Sequence, residues 1–149
     1  MPAFWKRLTS AGAIVKVDIG LSTKTVQALR QGLQPLPPTV RCHALLDTGA
    51  EKTCVDESVC RDLGFDYEGI ELVNVPYQQS ELTFGIQHDT DLTIVHPARH
   101  KQKNLALRNL AVVELALNSF DFQVIIGRDV LAHCQFLYNG PGRRFILRY

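Results

Sequence analysis

No stretch of this 149-residue sequence is apolar for the roughly 20 residues a membrane helix needs, so no bilayer span is expected. Charge of one sign is lacking too. Sixteen Lys and Arg against fifteen Asp and Glu leave a net charge of +1. That balance removes the electrostatic case for a nucleic-acid binder or a polybasic membrane anchor. The start, Met1-Pro2-Ala3-Phe4-Trp5-Lys6-Arg7, lacks the apolar region of a signal peptide. Cysteine is sparse. Cys42, Cys54, Cys60 and Cys134 contain no C-x-x-C pair and match no zinc-ligand spacing. Without a secretion signal, reduced thiols in a cytoplasmic protein are expected rather than disulfides. His43, His88, His96, His100 and His133 are scattered along the chain. No metal site is expected.

What remains is ordinary globular material. Hydrophobic residues make up 46% and charged residues 21%, which argues against a disordered chain. The length suits one domain, residues 1–149, with a real core. Apolar residues alternate with polar or small ones over 15–21, 82–86 and 91–95, as half-buried strands do. Further strands are read over 40–46, 70–75, 122–126, 134–138 and 143–149. Residues 105–117 have the propensity for helix, but Val112-Val113 and the surrounding strands favour β. Residues 22–39 form a polar connection, with a short helix over 25–30 before Pro35, Pro37 and Pro38. A second helix is read over 53–63. Thr53 or Cys54 opens it, Val55, Val59 and Leu63 line one face, and Gly64 closes it. One helical turn fits 130–133. Many short strands with little helix suggest an all-β barrel or sandwich.

One segment carries chemistry: Ala44-Leu45-Leu46-Asp47-Thr48-Gly49-Ala50. An apolar strand delivers a carboxylate into a turn of small residues. Thr48 can hydrogen-bond locally, and Gly49 lets backbone or ligand approach closely. A chance Asp-Thr-Gly occurs in a chain this long with a probability of roughly 3%, so the triplet alone also fits an ordinary turn. Its context adds weight. Val124-Ile125-Ile126-Gly127-Arg128-Asp129-Val130-Leu131 is another apolar strand running into glycine and a short apolar turn. In this order, the two segments resemble the retropepsin-like aspartic proteases, and the match covers most of the chain after Ala13.

The resemblance implies a closed β-barrel with a flap hairpin and one or two short helices. It makes Asp47 the catalytic residue of an aspartic endopeptidase. The sequence has no second Asp-Thr-Gly or Asp-Ser-Gly downstream. A complete site therefore implies a homodimer, with Asp47 from each copy meeting on a two-fold axis. The partners implied are a second copy and a peptide or protein substrate, and no metal or organic cofactor is needed. Thr48 would fix the partner's matching turn, Gly49 would lie along the substrate backbone, and Ala50 would keep a subsite wall small. Glu51 stands where the family commonly has Asp, and an ion pair from it to Arg128 behind the site is implied. A flap is implied between residues 73 and 86. Val75, Pro76 and Tyr77, with Ile126 from the downstream strand, are the substrate-binding candidates.

The sequence departs from the family at the flap, where no glycine-rich tip is found, only Gly85. Tyr77 either closes over substrate or is an exposed hairpin aromatic. The last strand either joins a dimer sheet or closes the barrel of its own chain. Two other readings stand beside the enzyme: an inactive retropepsin-like module that dimerises or binds peptides, and an unrelated barrel in which Asp47 is a turn residue.

Overall fold

The alternation read in the sequence places Val15, Val17 and Ile19 on one side of strand β2 (Ile14–Leu21). It places Cys42, Ala44 and Leu46 on the matching side of β3 (Val40–Leu46). The two strands pair antiparallel with Val15 opposite Ala44 and Val17 opposite Cys42, so both apolar rows enter one core. The computed structural model describes residues 1–65, 69–74 and 82–149, with side chains over 1–65 and 85–149. The remaining strands are β1 (Ala3–Arg7), β4 (Cys54–Asp56), β5 (Gly69–Asn74), β6 (Leu82–Ile94), β7 (Leu105–Leu115), β8 (Val124–Ile126), β9 (Gln135–Asn139) and β10 (Arg144–Arg148). The helices are α1 (Thr23–Gln31), α2 (Glu57–Leu63) and α3 (Arg128–Leu131).

Six strands close a barrel in the order β2-β3-β8-β4-β7-β6, with β6 returning to β2. Closure leaves those strands no open edge. Val15, Val17, Ile19, Val55, Leu92, Ile94, Val112, Val124 and Ile126 fill the interior. A second, smaller cluster gathers Ile14, Ala50, Cys54, Val113, Leu117, Phe122 and Ile125. β8 is therefore buried on both faces, which is why it reads as an unbroken apolar run.

The two strands read at 82–86 and 91–95 are one long strand, β6. Its first half pairs with β5 in a hairpin that branches off the barrel, and its second half belongs to the barrel wall. The hairpin falls where a flap was expected. Val75, Pro76 and Tyr77 lie outside the described residues. A bulge near Asp91 explains the apparent break, because the register with β7 shifts between Thr90 and Leu92. Asn109, opposite, takes a left-handed φ of 51°, which Asn tolerates better than most residues. Asp91 accepts the backbone N–H of Asn109 and of Thr23, the Thr23 hydroxyl and the Arg108 guanidinium.

The helix read over 53–63 begins later. Cys54, Val55 and Asp56 are drawn into β4 by pairing with β7 and β8, and Asp56 caps α2. Gly64 closes the helix in the left-handed conformation, φ 62°, as its sequence position implied. Strand β10 lies between β1 and β9 of the same chain, in a separate three-stranded sheet whose Phe4, Phe145 and Leu147 join the barrel core. Among the described residues no helix is long and apolar enough to cross a membrane.

Asp56 and Asp91 give the fold a pH dependence. Burial pushes both carboxyls up, but hydrogen bonds outweigh it and hold them below their ordinary value: Ser58 and Leu117 at Asp56, and Asn109, Thr23 and Arg108 at Asp91. Their stabilisation is complete above the unfolded-state pKa of about 3.9 and is lost as pH falls through the lower folded value. Urea midpoints measured between pH 6 and pH 2 are expected to fall more steeply for the native chain than for Asp56→Asn. Asp56→Ala, which removes the cap and leaves the Leu117 N–H without its acceptor, is expected to cost about 2–4 kcal/mol at neutral pH.

Candidate active site

β8 has neighbours of opposite direction, β3 parallel on one side and β4 antiparallel on the other. The chain leaves β3, crosses the end of β8 and returns as β4. Residues 47–53 form the crossing, and backbone bonds fasten it along its length. Asp47 N–H donates to the Ile126 carbonyl at 3.0 Å, Arg128 N–H to Ala50 at 2.9 Å, and Asp129 N–H to Glu51 at 3.3 Å. The far end is held by a carboxylate. Thr53 donates its N–H and its hydroxyl to the two oxygens of Asp129, at 2.9 and 2.7 Å, and the Gly127 N–H donates to the Thr53 hydroxyl at 3.1 Å. Gly127 permits this close approach. A Cβ there would lie 2.6 Å from the Lys52 carbonyl carbon and 2.7 Å from its oxygen.

Asp47 is half-buried. Its Oδ1 accepts the Gly49 N–H at 2.8 Å. Its Oδ2 accepts no hydrogen bond among the described residues. Asp56, Asp91 and Asp129 differ, with both oxygens of each carboxylate engaged. Thr48 and Gly49 are exposed beside Asp47, and Ala50 packs into the second cluster.

The structure redistributes two roles that the resemblance implied. Glu51 and Arg128 form no ion pair. Arg128 donates instead to the Thr48 carbonyl at 3.0 Å, and Glu51 is exposed. The carboxylate behind the turn belongs to Asp129 and binds Thr53, two residues for which sequence reasoning assigned no part in the site. The available signal was slight: Asp129 is two residues past Gly127, and Thr53 is six past Asp47. Ile126 is fully buried in the barrel core, whereas Ile125 on the opposite face of β8 packs with Ala50, Leu45 and Phe122.

A cavity of about 330 Å³ lies against the strand that carries Asp47. Leu45, two residues before Asp47, lines it with Ser10, Ala11, Ser119, Phe120, Asp121 and Phe122. Phe120 and Phe122 stack in its wall, ring centres 5.1 Å apart. Apart from Leu45, sequence reasoning did not single out these residues, because they come from three separate segments.

No protein-family model matches the chain, and no curated protein does. Among solved structures, a retropepsin-like aspartic protease from Rickettsia conorii is similar over 99% of this chain and 90% of its own, with a TM-score of 0.56 and 14% identity. The retroviral protease-like domain of Ddi1 from Leishmania major covers 87% of this chain and 83% of its own, with a TM-score of 0.40 and 14% identity. The Rickettsia likeness and the closed six-stranded barrel give one assignment: the chain has a retropepsin-like fold.

The close approach at Gly127 yields a direct test. In Gly127→Ala the added methyl meets backbone, which cannot rotate away. Equilibrium denaturation is expected to show a loss at or above the upper end of the roughly 1–3 kcal/mol typical of overpacking.

Proposed function

We propose that the chain is an aspartic endopeptidase that works as a homodimer, its residues 1–149 acting as one domain. The observation that carries this reading is Asp47: a half-buried carboxylate, fixed through Oδ1, with Oδ2 open beside exposed small residues. Asp56, Asp91 and Asp129 by contrast have both oxygens engaged.

One chain supplies one such carboxylate, so the reaction uses two copies. Two carboxylates about 3 Å apart cannot both ionise, and the pair keeps one proton. The ionised member takes a proton from water, and that water attacks the peptide carbonyl. The protonated member polarises the carbonyl oxygen, and the leaving nitrogen collects a proton as the C–N bond breaks. The mechanism needs no metal or organic cofactor.

The fold supplies preorganisation. The Gly49 N–H orients Asp47, and Arg128 holds the Thr48 carbonyl, leaving the Thr48 side chain exposed for the partner's turn. The Gly49 backbone faces the substrate backbone, and the β5–β6 hairpin covers the cleft. The cavity beside Leu45 takes an apolar substrate side chain against Phe120 and Phe122. Ile125 packs in the cluster with Leu45 and Phe122, which line that cavity.

Cleavage of a diverse fluorogenic peptide library is expected to rise faster than linearly with protein concentration and to vanish in Asp47→Asn. Activity surviving in Asp47→Asn would overturn the assignment. Silence of the wild type at concentrations where light scattering shows a dimer would favour an inactive peptide-binding module. Phe120→Ala is expected to raise KM several-fold for substrates with a large apolar side chain while leaving kcat nearly unchanged, the pattern of lost uniform binding.

A further inference from the structure

A second cluster of reactive side chains lies away from the crossing. Cys60 on α2, His88 on β6 and Glu114 on β7 bring a sulfur, an imidazole nitrogen and a carboxylate oxygen within 4.8 Å of one another. Cys60 and His88 are buried, and Glu114 is partly exposed. His88 Nε2 meets Glu114 Oε2 at 2.6 Å, and Phe65 stacks on the imidazole with ring centres 4.9 Å apart. Sequence spacing could not reveal this group, because its members stand on three elements joined only by the fold.

We propose that Cys60, His88 and Glu114 form a Zn²⁺ site with three protein ligands. The donor set decides the metal. One thiolate, one imidazole and one carboxylate suit zinc, whereas Ca²⁺ and Mg²⁺ require oxygen ligands and iron–sulfur clusters require several cysteines. Charge supports the choice. Thiolate and carboxylate together carry two negative charges, which Zn²⁺ cancels beside a neutral imidazole. On binding, Zn²⁺ replaces the thiol proton, which leaves to solvent.

Geometry asks for a small adjustment. Ligands at about 2.0–2.3 Å from a tetrahedral zinc stand roughly 3.4–3.6 Å apart, so the ion separates His88 from Glu114 and draws Cys60 in. Glu114, on the exposed side, can rotate to allow it. The fourth position faces the same side and takes water. Bound there, the ion joins α2 to β6 and β7 where the β5–β6 hairpin leaves the barrel. His88 follows directly on Gln87, the last β6 residue paired with β5.

The site is independent of the reading of Asp47, and its test is too. Reduced, chelator-stripped protein is titrated with Zn²⁺ alone against a chromophoric chelator, and separately with Co²⁺ as a spectroscopic probe. One equivalent of Zn²⁺ is expected, with a thiolate-to-cobalt charge-transfer band in the near ultraviolet and a rise in Tm. Cys60→Ser should lose the band and the Tm rise. Glu114→Gln, which keeps the shape and a hydrogen bond to His88, should weaken Zn²⁺ binding by at least about the 10-fold typical of lost metal-site support. Asp47→Asn should bind as the wild type does. Absence of stoichiometric binding or of the band in the wild-type protein would overturn the site, however the variants fold. So would an unchanged band in Cys60→Ser, which would place the thiolate at Cys42, Cys54 or Cys134.

Discussion

The Asp129 carboxylate is the interaction on which the crossing depends. It receives the N–H and hydroxyl of Thr53, which is wholly buried, and the N–H of Val130 at 2.8 Å. The carboxylate thereby ties the residue that opens β4 to the first turn of α3, adding to the backbone bonds that already hold the crossing against the end of β8. Hydrogen bonds to a charged group contribute about 1.5–3 kcal/mol each, and a buried donor left unpaired costs about 1–3 kcal/mol, so the arrangement is held by both gain and penalty. Were this carboxylate removed, the Thr53 donors would have to seek other acceptors, and the turn presenting Asp47 would lose its anchor.

The same device recurs. Asp56 joins the start of α2 to Leu117, and Asp91 joins the start of α1 to the bulge between β6 and β7. In each case an ionised side chain accepts backbone N–H groups where regular pairing stops. The barrel supplies apolar burial, and these carboxylates settle the places where its strands end. Asp47 stands out against that use. It occupies a turn fastened by backbone bonds to β8 and α3, and its Oδ2 accepts no hydrogen bond among the described residues.

Much of the barrel was legible because its strands are half-buried. Alternation in β2 and β3 marks the inward residues directly, and Val112-Val113 tipped β7 toward strand despite a run with helical propensity. The start of α2 was not legible. Val55, Val59 and Leu63 fit one helical face, yet Val55 is buried in the barrel through β4, so tertiary pairing overrode the local pattern. At the site, Asp47-Thr48-Gly49 is a contiguous signal and could be read from sequence. The Thr53–Asp129 contact spans 76 positions, and the arginine expected to pair with Glu51 bonds a carbonyl instead. Sequence order carries no sign of such side-chain choices. The approach of Cys60, His88 and Glu114 is illegible in sequence order for the same reason.

Strand β10 has both of its edges occupied by its own chain, β1 on one side and β9 on the other. It has no backbone edge to exchange with a second copy unless one of those neighbours first detaches. The outer edges of the sheet belong to β1 and β9, each paired on one side only among the described residues. A second copy joining this sheet strand to strand would add to one of those edges and leave the chain's own pairs in place.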